Sequence, residues 1–77
     1  MATTTIPPLT DLQRRIIWGI ENGDTQADLE EALGIHRDTV REHERKLKRR
    51  LGCDDRLELP FAARAAYGEL YEEPTEA

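Results

Sequence analysis

Residues 34–50, GIHRDTVREHERKLKRR, decide how the chain is read. Gly34 starts a tight turn, and one long helix follows, beginning at His36 or Arg37. The charge of this helix is unusual. Arg37, Arg41, Arg45, Lys46, Lys48, Arg49 and Arg50 stand against Asp38, Glu42 and Glu44, seven bases against three acids, a net of plus four. The whole chain is minus five, so everything outside the helix sums to minus nine. A basic element in an acidic chain is the electrostatic footprint of a surface that meets phosphate. Val40, Leu47 and Leu51, seven and four residues apart, share one helical face. That thin stripe is expected to be buried, which leaves a wide face free for a large partner.

On the N-terminal side, Thr25 is placed to cap a short helix over 26–33, with Asp28 three residues later as its capping partner. Leu29 and Leu33 face inward, and Gly34 supplies the left-handed residue after the helix. Short helix, glycine turn and long helix make a helix-turn-helix pattern, with Ile35 plugging the turn. Glu30 stands where the crossing of the two helices usually favours Ala, so either its carboxylate reaches out past the contact or the crossing opens slightly. Further upstream, Thr10 and Gln13 form another capping box, with Leu9 before the cap. The helix they start runs to about Glu21 with Ile16, Ile17 and Ile20 inside and Gly23 at its stop. Trp18 lies off that stripe beside the gap left by Gly19. It is expected to lean over the gap into the core, the sharper alternative being an exposed anchor for a partner.

On the C-terminal side, Gly52 ends the long helix and Cys53 reads as a small buried hydrophobe. Asp54 or Asp55 caps a fourth helix, which runs to about Tyr71. Pro60 leaves two openings for it: a first turn over 56–59 before a kink, or a helix that begins with Pro60 at its first position. The expected organisation is a flexible tail over 1–8, one all-α domain over 9–71, and an acidic disordered tail over 72–77.

Length and composition exclude other classes. A chain of 77 residues holds one domain, and one this small buries only about 60% of its unfolded surface. Cys53 is the single cysteine, so no internal disulfide forms and a reducing, cytoplasmic setting is the simpler expectation. The opening MATTTIPPL has neither a basic segment nor an apolar run and does not read as a signal peptide. Nothing approaches the roughly 18 apolar residues of a membrane span. No catalytic, cofactor or metal site is expected. The chain has no serine. Cys53 follows a helix-ending glycine, where no helix dipole activates a thiol. His36 and His43 are separated by two helical turns, about 10.5 Å of rise, too far to share a metal.

The residues from Leu9 to Ala66 resemble, without a gap, the LuxR-type (GerE) helix-turn-helix family. Leu9-Thr10, the ENGDTQADLEEALGI block, DTVREH and KLKRRLGCDDRLEL carry the resemblance. Thr39-Val40 with His43, then Leu51-Gly52 and Arg56, are its most specific parts. The resemblance implies a four-helix domain that binds double-stranded DNA and regulates transcription in a bacterial or phage setting, its third helix (about 36–51) in the major groove. Arg41, Glu42 and Arg45 match positions that face base edges. Thr39 and His43 match positions near phosphates, and Thr25 and Gln26 match the start of the second helix beside the DNA backbone. Arg37, Lys46 and Arg49 are assigned to phosphates with them. The fourth helix pairs two copies in this family, which implicates Phe61, Ala62, Ala66, Tyr67 and Leu70. Pro60 shortens that face and suggests a homodimer that forms on DNA. The chain departs from the family at Glu42, Glu44, Gly19, His36 and Pro60, and with 77 residues it is expected to have no room for the separate regulatory domain such proteins usually carry.

The competing expectation is a protein-binding module. It keeps the fold and docks an acidic surface on RNA polymerase, a sigma factor or another regulator. The net charge of minus five and the glutamates within the third helix favour it; seven bases on that helix disfavour it.

Overall fold

The computed structural model describes residues 9–68 and is all-helical there. Four helices follow in order: α1 (Asp11–Glu21), α2 (Gln26–Leu33), α3 (Arg37–Leu51) and α4 (Leu59–Tyr67), with a single 3-10 turn, Arg56–Glu58, before α4. The tails over 1–8 and 72–77, together with Leu70 and Tyr71, lie outside the described residues.

Local chemistry sets the helix ends. Thr10 and Thr25 each accept from the backbone N–H three residues on, and Gln13 and Asp28 each return a bond to the N–H of the capping residue. Both capping boxes thus satisfy two orphan donors apiece. Asp28 gains most from its bond to the Thr25 backbone, which holds its carboxyl below the ordinary aspartate value. At α3 the cap is His36, whose Nδ1 accepts from the Asp38 N–H at 3.0 Å. An imidazole nitrogen does there what a hydroxyl or carboxylate oxygen commonly does at a helix N-cap. Gly34 and Gly52, at φ 69° and 73°, close α2 and α3 in the left-handed conformation.

The core gathers one stripe from each helix: Leu9, Ile16, Ile17 and Ile20; Leu29; Val40 and Leu47; Leu59, Ala63 and Tyr67. Each fully buried Ile or Leu contributes about 1.5–3 kcal/mol over its exposed state. Helix α3 packs against α1, α2 and α4, and α1 against α4, so α3 is held from several sides.

Several expectations are corrected. The space beside Gly19 is not a gap. A Cβ there would lie 2.6 Å from Leu29 Cδ2 and 2.9 Å from Asp24 Oδ2. Trp18, denied that space, is half-buried and stands outside the core cluster. Pro60 realises a form between the two openings considered: Asp55 caps the 3-10 turn, and Leu59 then starts α4 with proline in its first turn. The helix ends at Tyr67, with Gly68 as its C-cap at φ 56°, short of the expected Tyr71. Tyr67, assigned to the dimer interface, is 7% exposed and belongs to the monomer's core. Cys53 is only partly buried against the core, and that desolvation, with Glu58 and Asp54 nearby, raises its thiol above the ordinary value.

Candidate nucleic-acid interface

Burial of Val40 and Leu47 turns the opposite side of α3 outward. On it lie Arg41, Arg45 and Lys46, with side chains 60%, 69% and 67% exposed. Arg37, Thr39 and Arg49 are exposed and His43 is half-buried. The residues assigned to base edges and phosphates on α3 therefore lie on one continuous helical surface. Thr25 and Gln26 join it at the start of α2.

Within this surface the charges are partly paired. Glu42 takes Arg45 Nη2 at 3.3 Å and stands 3.9 Å from Lys46 Nζ. Arg37 Nε approaches Glu30 Oε1 at 3.4 Å, so Glu30 does reach past the α2–α3 crossing. These are solvent-exposed pairs, worth about 0–1 kcal/mol each, and a phosphate can replace them at small cost. Among the described residues no ion pair engages Lys48, Arg49 or Arg50. These sit in the last turn of α3, where cations also complement the helix dipole.

Two assigned residues have further tasks. Thr25 spends its oxygen on the Asp28 N–H, which leaves its hydroxyl proton to donate. The Gln26 amide is engaged at both ends inside the protein. Nε2 donates to Glu44 Oε1 at 2.8 Å, and Oε1 accepts from Arg41 Nε at 3.1 Å.

Glu44 and Arg56 were both named from the sequence, but their pairing is what sequence reasoning missed. Glu44 is 2% exposed, between Val40 and Leu47 in the buried stripe. Arg56 reaches it from the 3-10 turn, and also donates to the Asp24 carbonyl at 3.2 Å. The signal was present: an acid four residues after Val40 and three before Leu47 occupies an apolar register and demands a buried partner.

Of the residues assigned to pairing, Phe61 is 73% exposed, Ala66 is exposed and Ala62 half-buried. Leu57, 60% exposed, precedes Phe61 by one helical turn. Leu70 lies outside the described residues. Among the described residues no His/Cys/Asp/Glu cluster is arranged to hold a metal, and no helix is long and apolar enough to cross a membrane. No family model, curated protein or solved structure matches this chain.

Proposed function

We propose that the protein is a sequence-specific, double-stranded DNA-binding regulator of transcription of the LuxR type, with α3 in the major groove and two copies paired through α4. The observation that supports this most is the outward face of α3, where Arg41, Arg45 and Lys46 stand exposed on a rod held from behind by three helices. Fifteen residues make that rod about 22 Å long, and a groove about 12 Å wide admits it. Arg41 and Arg45 read guanine through paired N–H donors, each good pair worth about 1–3 kcal/mol of discrimination. Glu42 accepts from cytosine N4 or repels sites that lack it. Thr25, Arg37, Thr39, His43, Lys46 and Arg49 hold the phosphates and set the register. Selection of bound duplexes from a random pool tests the reading. Arg41→Ala and Arg45→Ala should stay folded and each lose a base preference. If both bind the selected site as the parent does, the assignment of α3 is wrong.

A second reading, docking on a protein of the transcription machinery in the cytoplasm, is favoured by the exposed apolar pair Leu57 and Phe61. It is selected if the chain fails to shift any duplex in a gel yet binds polymerase or a sigma factor through that pair.

A further inference from the structure

Glu44 is the one acid of α3 that neither faces the groove nor pairs along its own helix. Both of its oxygens are engaged across the molecule. Oε1 accepts from Gln26 Nε2 at 2.8 Å and Arg56 Nε at 3.1 Å, and Oε2 accepts from Arg56 Nη2 at 2.9 Å. An ionised carboxylate has acceptors and no donor. It therefore dictates how the Gln26 amide lies, Nε2 inward and Oε1 outward. A reversed amide would set oxygen against carboxylate and N–H against guanidinium. The outward oxygen is the atom that takes the Arg41 Nε–H at 3.1 Å. With Nε so held, the two terminal nitrogens of Arg41 are turned to the O6 and N7 acceptors of a guanine, Nη1 giving up only a solvent-exposed pair with Asp38 Oδ1 at 3.9 Å. A side chain already held in place loses less rotamer freedom on binding.

We infer that Glu44 and Arg56 are positioning residues for base readout: their ion pair orients the Gln26 amide, and that amide aims Arg41. The functional consequence rests on the DNA reading proposed above, whereas the relay is a property of the free protein. Arg56 also holds the Asp24 carbonyl just ahead of the α2 cap. One guanidinium thus ties the start of α2, the middle of α3 and the turn before α4 to the aim of a single reading side chain.

Two variants separate positioning from mere support. Glu44→Gln keeps the shape but can donate as well as accept, so the Gln26 amide is no longer held one way. Gln26→Met cuts the relay between Glu44 and Arg41 and leaves the Glu44–Arg56 pair in place, which keeps the test decisive should Glu44→Gln not fold. In free protein, the Arg41 Nε–H resonance should shift and exchange faster with water in both variants. In selection from random duplexes, both should lose discrimination about 10-fold at the base pair that Arg41→Ala relaxes, and keep their preferences elsewhere. A lost phosphate contact at Gln26 would instead weaken all sites alike. An unchanged Arg41 Nε–H in a folded variant overturns the relay, as does a loss of preference spread evenly over the site. If the parent itself selects no sequence, the DNA reading fails, and the Arg41 resonance alone upholds or overturns the relay.

Discussion

Arg56 meets Glu44 with two nitrogens on two oxygens, at 3.1 and 2.9 Å, where the Glu44 side chain is 3% exposed and the Arg56 side chain 22%. Paired charge-assisted bonds of this kind are short and directional. Their net worth against an apolar pair is small, but removal of one partner leaves a buried charge. Arg56→Ala should therefore cost about 3 kcal/mol, the low end for a broken buried pair because Arg56 still reaches water. Glu44→Leu combined with Arg56→Met should return most of that loss. Urea unfolding of the parent and the two variants measures both; an Arg56→Ala protein within about 0.5 kcal/mol of the parent would show the pair to be dispensable.

Gly19 and Leu29 make a second close contact. In most helices Gly→Ala stabilises by about 1 kcal/mol. Here the new methyl would press on Leu29 Cδ2, and Leu29 is 2% exposed with nowhere to retreat. Overpacking of that kind costs about 1–3 kcal/mol, so Gly19→Ala should come out a net loss of about 1 kcal/mol, lowering Tm by about 4–8 °C in a domain of this size. A rise in Tm would mean that the α1–α2 contact yields.

On α4, neighbours in sequence should behave oppositely. Tyr67→Ala removes a core ring and should cost about 3 kcal/mol whatever the oligomeric state. Ala66→Glu alters an exposed position and should leave the monomer within about 0.5 kcal/mol of the parent. It should also abolish paired occupancy of two half-sites spaced about 34 Å apart. Sedimentation with operator DNA reads this directly, and a parent that binds at one protein per operator removes the dimer.

Asp28 links stability to pH. Its folded value lies below the ordinary 3.8, chiefly through the Thr25 backbone bond. The stability it adds is present above its unfolded value and is lost as pH falls through the folded one. Asp28→Asn does not titrate, so the parent should lead it at pH 6 and the lead should shrink below about pH 4. Urea midpoints at the two pH values decide; a lead that grows in acid contradicts the sign.

Affinity for random duplex should be weak. Nine excess negative charges lie outside α3, and Glu42 shares Arg45 and Lys46. Binding without register should sit near a Kd of about 10⁻⁴ M at physiological salt. Fluorescence anisotropy with unselected duplex measures it, and a tight sequence-blind complex would be the contrary result.

The boundaries of α1, α2 and α3 were legible because the bonds that set them span few residues. Thr10 with Gln13, Thr25 with Asp28, and the left-handed glycines Gly34 and Gly52 act within a turn of the chain, so spacing alone reveals them. The stripes of α1 and α3 were legible for the same reason: Ile16, Ile17, Ile20, Val40 and Leu47 repeat at the helical period between polar residues. On α4 that contrast is missing. Its residues are apolar around much of the circumference, and periodicity could not tell Tyr67, which turns inward, from Phe61, which turns out.

What the tertiary structure alone decided are the contacts whose partners are distant in sequence. Gln26 and Glu44 are 18 residues apart, and Glu44 and Arg56 are 12. Glu44 could be suspected from its register, but its partners depend on how α2 and the 3-10 turn approach α3. The space beside Gly19 looked empty because a missing side chain carries no record of its neighbour; Leu29 fills it only once α2 folds back on α1. By itself the sequence determined four helices and a basic outward face. Burial and the crossing of those helices determined which polar side chains hold that face in position, because a side chain's partner is set by the distance between helices and not by its place along one.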